Sequence, residues 1–254
     1  MRLVWIRAAI VGAVVLTTVA FLLAFFVAAP APFGEVRIPA AQVSGAQLGP
    51  NQPVGVEGDN MVFLRWDMGQ KIFYFHVPVA EASFLVFLFA AVYGGLFLAK
   101  RDRKWDTRSR IAMEVTLFFV LLTMVTGVIW TKWAWGVWWQ WEPRLTTYFI
   151  MTLLVVAYFV LRNSVEDEER RATYAAVFAI VAFIDAPISF LITRVLPSTH
   201  PVVFKSGGLD GWQLATFIIA QLGMLLFGFA VYELRLHEER LGERLEVLKN
   251  SLGG

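Results

Sequence analysis

Residues 73–99, "FYFHVPVAEASFLVFLFAAVYGGLFLA", run almost without interruption through apolar side chains, broken by one carboxylate, Glu81, and one histidine, His76. A helix needs about 20 such residues to cross the ~30 Å hydrocarbon core of a bilayer. This stretch therefore reads as a membrane-spanning helix. Five more blocks of the same kind flank it, at about 8–29, 111–130, 146–161, 174–193 and 212–232. The expected fold is an all-α integral membrane protein of six transmembrane helices. The fourth block is short unless it begins inside the tryptophan-rich stretch that precedes it.

The whole chain agrees with its parts. Of its 254 residues 58% are hydrophobic and its mean hydropathy is +0.62, whereas soluble domains run at ~45–50% apolar. With no soluble domain and no internal repeat, residues 1–254 read as a single membrane domain. Residues 233–254 form a cytoplasmic helical tail, whose "LRLHEERLGERLEVLKN" carries apolar residues at helical spacing. The first block exceeds the 7–15 apolar residues of a secretory signal core, and Pro30 suits a cleavage site poorly, so a retained anchor is expected. The chain contains no cysteine, which excludes disulfides, thiol chemistry and covalent haem attachment through its own thiols.

Charge sets the orientation. The net charge is +2 and the pI about 9.0, but the basic residues lie between apolar blocks, so they speak for topology and not for nucleic acid. The first terminus, the connection "KRDRKWDTRSR" (100–110), the connection "RNSVEDEERR" (162–171) and the tail hold 15 of the 22 basic residues. By the positive-inside rule these segments, and both termini, are cytoplasmic. Residues 30–72, 131–145 and 194–211 then face outward. The first of these is rich in Pro, Gly and Gln and reads as an irregular loop with a short strand near 36–38.

The second outward segment contains "WAWGVWWQWEPRLTT" (133–147), five tryptophans within nine positions, with Trp130 just ahead. A belt of interfacial tryptophans accounts for scattered rings such as Trp5, Trp66, Trp105 and Trp212. A run along one short connection fits a stacking platform for a flat ligand better. If extended, the run places Trp133 and Trp135 on one face; if helical, it groups Trp135, Trp138 and Trp139. Gly136 lets the backbone turn or a ligand approach closely. Sugars, quaternary amines and porphyrins all suit such a surface.

The three histidines sort by topology. His237 lies in the charged tail beside Glu238 and Glu239 and reads as solvated. His76, at the outer end of the second helix, and His200, in the outer loop "LPSTHPVVF", fall on the same face as the tryptophans. Singly, each reads as an interfacial histidine bonded to a helix end or a loop carbonyl. Together, neutral imidazoles on either side of an aromatic platform suit the axial positions of haem iron. Lys132 and Arg144 flank the platform, Arg194 and Lys205 flank His200, and the Arg144 fork matches a carboxylate. Arg144 has a second reading as a partner of Glu142.

At these residues "WGVWWQWEPRLTT" resembles the tryptophan-rich signature of the haem-handling membrane proteins of cytochrome c maturation, W-G-x-W-W-x-W-D. With "FYFHVPVA", "TGVIW" and "RLTT", the resemblance is to the haem exporter protein C family and covers about residues 70–232. It implies a six-helix protein of the cytoplasmic (inner) membrane that presents non-covalent, transiently held haem b, on the outer face, to a periplasmic haem chaperone. It implies axial roles for His76 and His200 and a platform of Trp133, Trp135, Gly136, Trp138, Trp139 and Trp141, with Glu142 and Arg144 beside it. An ATP-binding-cassette transporter partner is also implied, since "GxxxxGK[ST]" is not found in this chain. The role is delivery, not catalysis; the alternative is a component of a haem lyase or synthetase that joins haem to apocytochrome c. A transporter or scaffold with only an aromatic belt is the third reading. The chain departs from the pattern at Glu142, where Asp is usual, at Pro143, in the length of 30–72, and after His200, where "PVV" stands in place of Gln-Gly.

Two carboxylates lie inside apolar blocks, where a charge is costly. Glu81 is five residues past His76, about 140° around the helix, and is expected on a different face. Asp185 precedes Pro187, which is expected to kink the fifth helix. Both also read as polar contacts between helices. Glu114 and Glu233, near cytoplasmic ends, need no special role.

Overall fold

The computed structural model describes residues 2–28, 36–39, 54–57, 61–64, 69–198, 200, 209 and 211–252. Among the described residues there are seven α-helices: α1 (Arg2–Phe26), α2 (Phe73–Lys100), α3 (Arg103–Trp135), α4 (Pro143–Ser164), α5 (Glu168–Phe183), α6 (Asp185–Val195) and α7 (Gly211–Leu252). Since α5 and α6 form one interrupted span, six helical spans are long and apolar enough to cross a membrane. The chain is an all-α membrane protein in its spans, as the apolar blocks require.

The helices outrun the blocks. Helix α3 begins at Arg103 where about 111 was expected, and ends at Trp135 where 130 was expected. An apolar block marks only the hydrocarbon thickness; beyond it the backbone keeps its own hydrogen bonds for as long as no residue stops it. What stops α3 is Gly136, at φ 75°, whose N–H donates to the Lys132 carbonyl. The left-handed conformation costs a residue with a Cβ about 1–2 kcal/mol, so glycine ends this helix. Likewise Arg101 (φ 52°) ends α2, and the Asp102 side chain starts α3 by accepting from Lys104 N at 3.0 Å. Helix α4 starts only at Pro143, and the tail from 233 proves continuous with α7. The expected kink falls at Ile184, with Pro187 in the first turn of α6, where its missing N–H costs nothing.

The segment between α1 and α2 carries more order than expected. Strands β1 (Val36–Pro39), β2 (Val54–Glu57) and β3 (Met61–Leu64) form an antiparallel sheet in the order β1-β3-β2. Val36 and Val54 both stand opposite Leu64, on either side of it. The expected strand near 36–38 is present; the other two lie where an irregular chain was expected. A 3-10 turn over Gly69–Ile72 then leads into α2.

Helix α2 is central, packing most extensively on α3 and also on α5 and α7, while α1 lies along α7. The core holds Val79, Phe87, Met113, Phe119, Met151 and Val155. Small residues allow the closest approaches: a Cβ on Gly94 would meet the Ala176 carbonyl at 3.2 Å, and one on Gly223 would meet Leu16 and Thr17 at about 3.1 Å. Large apolar side chains such as Val11, Phe89, Leu153 and Leu222 point outward, the reverse of a soluble protein.

The two ends of the bundle differ in kind. One end is ionic: Asp106 pairs with Arg162, Glu168 with Arg103, and Arg235 with Glu114 at 2.8 Å. Since α1 packs Ala24 and Ala28 near Phe217, and Gly12 beside Leu226, it runs antiparallel to α7, and the start of α1 and the end of α7 lie toward this ionic end. The opposite end gathers the start of α2, the end of α3, the start of α4 and His200.

Candidate functional site

At that opposite end a cavity of about 630 Å³, counting its open mouth, is lined by His76, Glu81, Thr123, Trp130, Trp139, Arg144, Tyr148 and His200 among others. His76 enters from the first turn of α2 and His200 from the α6–α7 connection, so the fold brings together the two histidines that topology had selected.

A different group faces the Nδ1 of each ring. The His76 Nδ1 lies 2.8 Å from Thr126 Oγ1 on α3. The His200 Nδ1 lies 3.6 Å from Glu142 Oε1, longer than a hydrogen bond but close enough for electrostatic attraction. The His200 ring also rests against Trp130 and Trp135, with centroids 5.8 and 6.3 Å away. Its burial, added to by Arg144, keeps the imidazole pKa below its ordinary value in spite of Glu142. His200 is therefore neutral at physiological pH, with a lone pair to offer.

Glu142 is an organiser of this loop. It caps α4 by accepting from Leu145 N at 2.7 Å and accepts from Ser198 Oγ at 2.5 Å. The same Ser198 Oγ accepts from the His200 N–H at 3.0 Å. Burial opposes its charge, yet His200, Ser198 and the Leu145 N–H hold the carboxyl at about 2. One carboxylate thus ties the start of α4 to the histidine loop. Replacing Glu142 with alanine is expected to cost about 1–2 kcal/mol from the lost cap alone. Thermal unfolding of the detergent-purified variant measures it, and an unchanged midpoint would show that the cap is not holding α4.

Arg144 makes no salt bridge with Glu142, although Glu142 is the charge that attracts it most, followed by Glu81. Glu142 spends its oxygens on Leu145, Ser198 and the approach to His200, and among the described residues no carboxylate lies in salt-bridge range of Arg144. Its guanidinium lines the cavity and stands 6.0 Å from the Phe190 ring centroid. A cationic fork that faces a cavity, with no carboxylate of the described residues in salt-bridge contact with it, matches a carboxylate-bearing ligand.

The tryptophans do not form one continuous platform. Trp133 and Trp135 belong to α3, two positions apart and so about 200° apart around it; the Trp133 side chain lies outside the described residues. Trp135 meets Trp130 edge-on at 5.0 Å, and Trp130, which was not singled out as a site residue, lines the cavity. Past Gly136 the backbone is irregular. Trp139 lines the cavity and packs on Trp141 and Phe149. Trp138 and Trp141 are 61% and 71% exposed. Lys132 caps the end of α3, donating to the Gly136 carbonyl at 2.9 Å, and sits over Trp138. Arg194 lies over Phe190, and Lys205 lies outside the described residues.

Glu81 corrects an expectation. It lines the same cavity as His76, because the cavity embraces a broad arc of α2. Val77 and Ala80 fill the angles between the two side chains, so a separation of 140° still falls within one wall. Asp185, at the helix break, is not among the cavity residues and opens α6 as a first-turn carboxylate. Sequence reasoning also passed over Thr126 and Gly127, although "TGVIW" contained both.

A family model described as heme exporter protein C matches residues 64–249. The chain is 26% identical over 195 residues to the heme exporter protein C of Rhodobacter capsulatus, covering 70% of this chain and 76% of that protein. It is 31% identical over 119 residues to the heme exporter protein C of Paracoccus denitrificans, 47% of this chain and 49% of that protein. A putative cytochrome c biosynthesis ccmC-like mitochondrial protein of Marchantia polymorpha is 32% identical over 118 residues, 46% of this chain and 49% of that protein.

Proposed function

Because this chain belongs to the heme exporter protein C family, and so to the apparatus of haem handling in cytochrome c maturation, we propose that it holds haem b without a covalent bond and delivers it. The haem would lie in the cavity at the histidine end, on the outer face of the cytoplasmic membrane, and pass to a periplasmic haem chaperone. The observation that carries this reading is that His76 and His200 line one cavity together with Trp130, Trp139 and Arg144.

Each residue has a part that its chemistry supports. His76 and His200 would hold the haem iron, since neutral imidazole nitrogen binds it. Trp130, Trp135 and Trp139 supply the apolar walls, with Gly136 turning the chain between them, and the exposed Trp138 and Trp141 meet the haem edge or the acceptor. Arg144 pairs with a propionate, and Glu142 fixes the His200 loop. The chain would contribute binding and orientation, not bond-making, so release would need only that the two histidines let go. The ionic end, toward which α1 starts and α7 ends, would be cytoplasmic by the excess of Lys and Arg in its connections, where an ATP-binding-cassette transporter would supply the energy.

Protein purified in mild detergent from haem-replete cells is expected to show a Soret band with the features of bis-histidine ligation. A wild type that shows none after haem is added would overturn the reading. Co-purification is expected to recover a haem chaperone and a transporter ATPase. Recovery of apocytochrome c in their place would point instead to the synthetase role.

A further inference from the structure

The His76 ring has a hydrogen-bonding environment that decides which nitrogen carries its proton. Nδ1 is 2.8 Å from Thr126 Oγ1. The same hydroxyl is 2.9 Å from the Leu122 carbonyl and 3.1 Å from the Thr123 carbonyl. Carbonyl oxygens only accept, and a hydroxyl has one proton to give. If Thr126 donates to a carbonyl, Nδ1 must carry a proton and donate to Oγ1, and two hydrogen bonds form. If Thr126 donates to Nδ1, only one forms. A net hydrogen bond is worth about 0.5–1.5 kcal/mol, so the two-bond arrangement prevails. Nε2 is then the bare nitrogen of a side chain that lines the cavity.

The next residue reinforces the placement. A Cβ on Gly127 would stand 3.0 Å from His76 Cε1 and 3.8 and 3.9 Å from the two ring nitrogens. The ring therefore points its Cε1 edge at the backbone of α3, where a Cβ on Gly127 would crowd it. Two adjacent residues of α3 thus set both the tautomer and the position of a histidine on α2.

We propose that Thr126 is the positioning residue of His76, holding it as the Nδ1–H tautomer so that the Nε2 lone pair is presented to the haem iron, with Gly127 making room for the ring. The inference rests on the haem reading above for its purpose, though not for its geometry. Metal-bound histidines commonly donate their second N–H to a fixed acceptor, and losing that acceptor costs about 10–100-fold in affinity. A threonine hydroxyl fills that place for His76, as the Glu142 carboxylate faces the corresponding nitrogen of His200.

The test has a haem-free arm and a haem-loaded arm. The chain has three histidines, so nitrogen NMR of histidine-labelled, haem-free protein resolves them, with His200→Gln and His237→Gln giving the assignment. His76 is expected to show a protonated Nδ1 and a bare Nε2, and Thr126→Val to show a mixture of tautomers. On loading, Thr126→Val is expected to bind haem about 10–100-fold more weakly and to lose part of its six-coordinate spectrum. Thr126→Ser, which keeps the hydroxyl, is expected to restore both. A wild-type His76 protonated at Nε2, or a Thr126→Val protein with unchanged nitrogen shifts and haem affinity, would overturn the proposal. A wild type that takes up no haem would overturn the haem reading and with it the stated purpose of Thr126, while the haem-free spectra would still decide the tautomer.

Discussion

Replacing His76 with alanine is expected to convert the haem complex from six-coordinate to five-coordinate and to weaken haem binding by more than the roughly 10–100-fold that follows loss of a mere hydrogen-bond partner of a bound histidine. The first turn of α2 tolerates alanine, the best helix former, so the loss falls on the ligand and not on the helix. Added imidazole is expected to restore the six-coordinate spectrum, because the cavity left by the ring opens into the same site. His200→Ala is expected to give the same class of change from the other side. Absorption spectra of the two variants beside wild type make the comparison. If His76→Ala alone altered the spectrum, His200 would not be the second ligand; if neither did, the iron would be held elsewhere.

The second large effect is expected at the other end of the bundle. Arg162 binds Asp106 through both nitrogens, at 2.8 and 2.7 Å, and the two side chains are only 11% and 8% exposed. Asp106 stands in the first turn of α3 and Arg162 in the last turn of α4, so each charge also complements its own helix dipole. Asp106→Ala leaves a buried guanidinium without its anion, and removal of one partner from such a pair costs about 3–5 kcal/mol. The double variant Asp106→Leu with Arg162→Met is expected to recover most of that loss, since the desolvation penalty disappears with both charges. Thermal unfolding in detergent measures each. A single variant within 1 kcal/mol of wild type would mean that water reaches the pair. The haem spectrum is expected to stay unchanged in both, because the pair lies at the end opposite the cavity.

Much of this was legible in the chain. The apolar blocks located all six spans, because hydrocarbon thickness is a property that one stretch of sequence meets or fails alone. The placement of His76, His200 and the tryptophans at one end followed from counting spans. Gly136 was legible as a turn, since few other residues adopt φ 75°. Other features were not. Glu81 was set on another face by helical angle alone, because the breadth of the cavity depends on how far α3 and α4 stand from α2. The tryptophans read as one platform because adjacency in sequence suggested adjacency of faces; the end of α3 at Gly136 divides them into buried, cavity-lining and exposed rings. Thr126 looked like any threonine of an apolar helix.

The sequence by itself therefore determined that this chain builds a six-span helical membrane protein and which residue types are available at one of its ends. Those depend on run length, charge and local backbone preference, each of which is set within a few turns. Only the tertiary structure decided which of those side chains meet: that His76 faces Thr126 fifty residues away, that Glu142 serves Leu145, Ser198 and His200 and leaves Arg144 to the cavity, and that Trp130 and Trp139 form its walls. The physical reason is that the rotation and separation of packed helices come from contacts such as Gly94 on Ala176 and Gly223 on Thr17, which pair residues far apart in the chain and appear only once the helices have closed on one another.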